Sequence, residues 1–189
     1  MKRDFIACNA LIYNEDRDLI ANAKVLDYDS YENSIMIKNI PALDNINRCE
    51  VVILTAPTPY VYKGTIYKTA INKAESGKRI NLYNENRTDN RKEVRYKINS
   101  SAAIDELIYD DKAYHMHTRI EVQLINISKG GARFRSKPNA FVIGNRFHIQ
   151  IQNGEMSTQL LAEVVNAYSA SSEYFEYGCR FIDVDGDRS

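Results

Sequence analysis

Two clusters in this chain have the chemistry to hold an anion. The first is Arg91-Lys92-Glu93-Val94-Arg95, with two arginines four positions apart and Arg87 four positions earlier. A guanidinium is planar, always charged, and carries its donors in a rigid fork. It can grip a phosphate bidentately, lie against a purine face, or donate to O6 and N7 of guanine. The second cluster is Asn126-Ile127-Ser128-Lys129-Gly130-Gly131, followed by Ala132-Arg133-Phe134-Arg135. Asn126 and Ser128 donate or accept hydrogen bonds over a short reach. Gly130 and Gly131 lack a Cβ, so the backbone can take a positive φ or come close to a ligand. Successive amides in such a turn can form an anion-binding concavity.

Both clusters also have a purely structural reading. Arg87, Arg91 and Arg95 are interleaved with Glu85, Asp89 and Glu93, a pattern that suits a solvated helix face laced with ion pairs. Asn126 to Gly131 also suits a plain hairpin turn. Arg133 and Arg135 share one face of a strand and suit ordinary exposed positions there.

Taken together, in this order and about thirty residues apart, R-x-x-x-R and N-x-S-x-x-G resemble the signature of PilZ domains, bacterial receptors for cyclic di-GMP. Each motif alone is common; the ordered pair, with Gly178-Cys179-Arg180-Phe181 downstream, is specific. The resemblance spans residues 87–183. It implies that Arg91 and Arg95 grip phosphate and guanine, and that Asn126 and Ser128 complete the base contacts. It implies further that Gly131 keeps the turn open for close approach; Gly130, Arg87 and Arg133 complete the expected ligand-binding set. Cyclic di-GMP is the implied ligand, and no other cofactor is implied. The implied protein partner belongs to a flagellar motor, polysaccharide synthesis or pilus machinery. Many members that bind a ligand dimer carry one more arginine just before the first motif arginine. Here that position is Asn90, which leaves one or two ligands per site open. Asn126 stands where many members have Asp, and the family pattern allows both.

Composition narrows the alternatives. Lys plus Arg and Asp plus Glu number 25 each, so the formal net charge is zero and a broad grip on DNA or RNA is not expected. A small anion needs only a local cluster. The hydrophobic content of 44% is enough to build a core. No apolar run approaches membrane-spanning length, so no membrane insertion is expected. Cys8, Cys49 and Cys179 are odd in number and widely spaced, which suits reduced thiols in a cytoplasmic protein.

The elements that must carry these clusters read as strands. Ile35 to Ile40, Cys49 to Leu54 and Tyr60 to Tyr67 are β-prone segments broken by Pro41, Pro57 and Pro59. Glu75-Ser76-Gly77-Lys78 reads as a turn between a strand near Tyr67–Asn72 and another at Arg79–Tyr83. These short strands predict a small β barrel or sandwich over residues 1–83. Residues 84–90 hold no large apolar side chain and form the expected linker, 84–95, which carries the arginines. Residues 96–189 then form the second domain. Arg119 to Ile125 alternates polar and apolar, a half-buried strand that ends at the Asn126 turn. The fold class is therefore mainly β, two small β barrels in tandem. The C-terminal one is PilZ-like, and the whole is similar to two-domain receptors of the flagellar brake type. Residues 159–168 carry a conflict. Leu160, Leu161, Val164, Val165 and Tyr168 have helical spacing, whereas PilZ topology requires a strand. The bracketing motifs favour the strand.

Other constellations carry less. His115 and His117 flank Met116 and read as a solvent-facing pair, since nothing completes a metal site. Gly77-Lys78 lacks the glycine spacing of a phosphate-binding loop. Asp183-Val184-Asp185-Gly186-Asp187 starts like a calcium loop but cannot finish one, and reads as an acidic tail. No Gly-x-Ser-x-Gly elbow or base–nucleophile pair is present, so no enzyme is expected. Two rival functions remain: a degenerate PilZ-like module that binds a protein and no nucleotide, and a β-barrel binder of single-stranded nucleic acid that uses some of the 13 tyrosines.

Overall fold

In the computed structural model, residues 4–70, 76–83, 94–110, 112–153 and 156–182 are described. The chain divides into two compact units, one of residues 1–55 and 59–92, the other of 56–58 and 93–189. Both are all-β.

The N-terminal unit is a seven-stranded antiparallel sheet. Its strands are β1 (Asn9–Tyr13), β2 (Leu19–Lys24), β3 (Asp27–Asp29), β4 (Ser34–Lys38), β5 (Arg48–Leu54), β6 (Tyr60–Ala70) and β7 (Ser76–Tyr83). They lie in the order β2-β1-β5-β6-β7-β4-β3. The sheet curls into a half-barrel: beyond β2, the amide of Leu26 donates to the carbonyl of Met36 on β4, near the opposite edge. The concave side holds a core of Ile12, Val25, Ile35, Ile37, Val51, Ile53 and Ile80, all fully buried. Phe5 closes it, with its ring centre 4.7 Å from that of Tyr28 and 5.4 Å from that of Tyr60.

The sequence places a turn at Glu75–Lys78, but Ser76, Gly77 and Lys78 lie inside β7, paired with Ala70, Thr69 and Lys68. The reason is the side chain of Lys78, which is 1% exposed and ion-paired to Asp44 at 2.7 Å. A buried ammonium with a carboxylate partner holds its backbone in the sheet, against the turn preference of Ser-Gly.

The C-terminal unit is a closed six-stranded barrel. Its strands are β8 (Tyr96–Tyr109), β9 (Lys112–Ile127), β10 (Gly131–Ser136), β11 (Arg146–Asn153), β12 (Met156–Ser169) and β13 (Phe175–Phe181). Around the barrel they run β10-β13-β12-β11-β8-β9, and pairing of β9 with β10 closes the ring. The expected tandem of β barrels is thus met by a half-barrel followed by a closed barrel.

Alternation sets the faces, because side chains at i and i+2 of a strand point the same way. On β10, Ala132, Phe134 and Ser136 point inward, and Gly131, Arg133 and Arg135 face out. Phe134 is the centre of the interior. It stacks on Tyr177 at 5.5 Å and meets Phe141 and Phe147 edge-to-face at 5.6 and 5.9 Å. The Tyr177 hydroxyl is not wasted inside: it donates to the carbonyl of Lys137 and accepts from the amide of Ala140.

Residues 159–168 are strand, within β12. Leu160, Ala162 and Val164 are fully buried, a period of two. Leu161 and Val165, which supplied the helical spacing, face outward, and Val165 is 43% exposed. Backbone pairing with β11 and β13 on both sides outweighs the helix propensity of Ala162 and Glu163.

Candidate functional site

The second cluster folds as the β9–β10 hairpin. The amide of Ser128 donates to the carbonyl of Gly131 at 2.8 Å, and its Oγ donates to the same oxygen at 3.3 Å. Two hydroxyl-to-backbone and amide-to-backbone bonds on one acceptor make the turn tight, and Ser128 itself is buried. The carbonyl of Gly130 accepts from the amide of Phe181, tying the turn to the end of β13. Lys129 remains exposed at the tip.

Gly131 is required by the barrel itself. A Cβ at this position would lie 2.1 Å from the carbonyl oxygen of Cys179 on β13. Close approach of two backbones is one of the conditions that only glycine satisfies. The sequence assigns Gly131 to ligand access, and the packing supplies a second and sufficient reason for it.

The sheet register brings the other residues to this end. Asn126 is half-buried, opposite Lys97 on β8 and Arg133 on β10. Tyr96 pairs with Ile127, so the chain enters the barrel at the end where the turn lies, with Arg95 exposed one residue earlier. Arg95, Asn126, Ser128, Gly130, Gly131 and Arg133 are therefore gathered at one end of neighbouring strands. Arg87 and Arg91, with the rest of the 84–93 stretch, lie outside the described residues.

Beyond β10 the outer face carries two carboxylates, each shared by two arginines. Glu176 on β13 takes Nε and Nη2 of Arg135 at 3.0 and 2.9 Å, and Nη1 of Arg133 at 3.5 Å. The Arg133 guanidinium lies over the ring of Tyr168, and that of Arg135 over Tyr174. Glu163 on β12 pairs with Arg146 at 3.3 Å and Arg180 at 3.2 Å. Between these groups Gly178 leaves room for Asn166, whose Oδ1 would sit 2.1 Å from a Cβ at position 178. Sequence reading missed Lys97, Glu163, Glu176, Tyr168 and Tyr174. The outward positions of β12 and β13 would have marked Glu163, Tyr168 and Glu176 as one face, with Tyr174 just ahead of β13, but only with the register in hand.

His115 is 81% exposed, 3.4 Å from the carboxylate of Glu106, which His148 also contacts on the neighbouring strand. Among the described residues, no group of three or more His, Cys, Asp or Glu is placed to hold a metal. Cys49 and Cys179 are free and buried, and burial pushes both thiols up to about 12, far from reactive. Among the described residues, no helix is long and apolar enough to cross a membrane.

Comparison with known proteins adds the following. The model of the family described as "PilZ domain" matches residues 89–188. The inhibitor of motility MotI/DgrA of Bacillus subtilis is 18% identical over 98% of this chain and 91% of its own, with a TM-score of 0.38. YcgR of Escherichia coli, solved in complex with c-di-GMP, is 13% identical over 95% of this chain and 78% of its own, with a TM-score of 0.36. PlzA of Borreliella burgdorferi, also solved with c-di-GMP, is 10% identical over 96% and 86%, with a TM-score of 0.29. No curated protein matches the sequence.

Proposed function

Because the chain belongs to the PilZ domain family, we propose that it is a receptor for cyclic di-GMP and not an enzyme. The observation that carries this reading is the ordered pair of motifs, Arg91-x-x-x-Arg95 and Asn126-x-Ser128-x-x-Gly131, with Arg95 one residue ahead of Tyr96, which pairs with Ile127 inside the second motif. Arg91 and Arg95 hold phosphate and guanine through charge-assisted hydrogen bonds and stacking. Asn126 and Ser128 contact the base edges, Gly130 and Gly131 shape the turn, and Arg87 and Arg133 add positive charge at its margins.

Residues 1–83 form one domain and 96–189 the other, joined by the arginine-bearing linker 84–95. Binding at the linker arginines changes the relation between the domains and so presents a new surface to a protein partner. The family resemblance supports a partner in motility, polysaccharide or pilus machinery, and a cytoplasmic location. Zero net charge supports neither DNA nor RNA as ligand.

Titration calorimetry with cyclic di-GMP tests the reading. Replacing Arg91 or Arg95 by Ala removes charge-assisted bonds worth roughly 1.5–3 kcal/mol each, which weakens binding about ten- to a hundredfold. Equal affinity in the wild type and the double variant would overturn the assignment. Strongly salt-dependent binding to an oligonucleotide, with none to cyclic di-GMP, would point to the nucleic-acid alternative.

A further inference from the structure

Arg133 points away from the turn it follows. It stands opposite Asn126 of β9. Its guanidinium nevertheless reaches Glu176 on β13, and its Cζ lies 5.3 Å from the centre of the Tyr168 ring on β12. In the strand order β9-β10-β13-β12 that is the direction opposite to Asn126. Arg135 is committed to the same carboxylate through two donors, at 3.0 and 2.9 Å. Arg133 gives it a single contact at 3.5 Å, the outer limit of a hydrogen bond. The Glu176 side chain is 16% exposed, so its charge is only partly screened by water.

We propose that Glu176 is a specificity-determining residue that selects among guanine nucleotides by charge, favouring the cyclic dinucleotide over linear ones with a terminal phosphate. The inference rests on the reading of this face as the cyclic di-GMP site. Arginines alone cannot make the distinction, because they attract the more highly charged anion more strongly. An anion that recruits Arg133 must draw it from Glu176, and it then faces a carboxylate that Arg135 alone still holds. Specificity of this kind comes from a built-in repulsive group. Cyclic di-GMP carries two phosphodiester charges. A linear diguanylate with a 5′-phosphate carries one such charge plus roughly 1.5–2 on its terminal group. A unit-charge repulsion at roughly 6 Å in water corresponds to about threefold in affinity for each ligand charge.

The test is calorimetry on the full chain with cyclic di-GMP and with 5′-phosphorylated linear diguanylate. Glu176→Gln is expected to bind the cyclic ligand up to about tenfold more tightly and the linear one up to about fifteen- to thirtyfold, so that the preference falls about two- to threefold. Glu176→Asp, which keeps the charge, is expected to keep the wild-type preference. Adding Arg133→Ala to Glu176→Gln is expected to cancel the gain. An unchanged or larger preference in a Glu176→Gln protein that melts like the wild type overturns the proposal and leaves the receptor reading intact. Failure of the wild type to bind cyclic di-GMP overturns the receptor reading. The charge selector falls with it, whereas absence of the Glu176→Gln effect on preference, where the wild type does bind cyclic di-GMP, overturns the selector alone. Should Glu176→Gln not fold, linear diguanylate with and without its 5′-phosphate is compared on the wild type. Weaker binding of the phosphorylated form supports the selector, and equal or stronger binding overturns it.

Discussion

The β carbon that Gly131 lacks would lie 2.1 Å from the carbonyl oxygen of Cys179. The obstacle is backbone of a paired strand, which cannot turn aside as a flexible side chain can. The family motif therefore includes a residue whose type is dictated by barrel closure, whatever else it does for a ligand.

Gly131→Ala is expected to destabilise the barrel by about 1–3 kcal/mol, the range for overpacking, and Gly131→Val by more. Denaturant unfolding followed beside ligand affinity checks this. A Gly131→Val protein with wild-type stability would show that β10 and β13 are free to part.

Ser128→Ala separates turn from ligand. The amide of Ser128 still donates to Gly131, so the turn persists, and loss of the 3.3 Å hydroxyl contact costs stability about 1 kcal/mol or less. Loss of a ligand contact by the same hydroxyl weakens cyclic di-GMP binding about two- to tenfold. Arg95→Ala, at an exposed position ahead of β8, is expected to leave the melting temperature within a few degrees and to weaken binding more than Ser128→Ala does. The reverse order of affinities would place the ligand on the turn alone.

Acid stability of the N-terminal unit is expected to depend on Asp44. The hydrogen bond from the buried Lys78 ammonium, aided by Lys68, holds this carboxyl below the usual carboxylate range. A carboxyl lowered in the folded state stabilises it at pH values above its ordinary range. That contribution is lost as pH falls through the lower folded value. Asp44→Asn should therefore melt below the wild type at pH 7, and the gap should close as pH drops below about 4. A gap that is constant from pH 7 to pH 2 would mean that the ion pair is not its source.

Ligand binding is expected to raise amide protection across the 84–95 stretch and to change the scattering of the full chain. Small-angle scattering and amide exchange, each with and without saturating cyclic di-GMP, check this. Unchanged scattering together with unchanged protection across 84–95 would locate the response elsewhere.

Much of the candidate site was legible in one dimension. Asn126, Ser128, Gly130 and Gly131 lie within six consecutive residues, and so short a turn keeps its chemistry wherever it is placed. The strand from Arg119 to Ile125 announced itself by alternation, because a half-buried strand repeats every two residues. The polar stretch at 84–90 marked a break between two β segments for an equally local reason: it has nothing to bury.

Only the tertiary structure decided the rest. Glu176 lies 43 residues after Arg133, and nothing in either neighbourhood predicts that pairing of β10 with β13, which sets Glu176 opposite Arg135, also brings it within diagonal reach of Arg133. The same holds for Lys78, which sits in a Ser-Gly turn pattern until Asp44 gives it a buried partner. Residues 159–168 carry a helical spacing that lost to strand pairing on both sides, since unpaired strand edges in a closed barrel would cost more than a propensity of tenths of a kcal/mol per residue. Sequence by itself determined strands whose alternation is local, such as Arg119 to Ile125, and which short-range groups can meet an anion. Long-range register decided which charges neutralise one another, because pairing across a sheet depends on partners that local pattern does not specify.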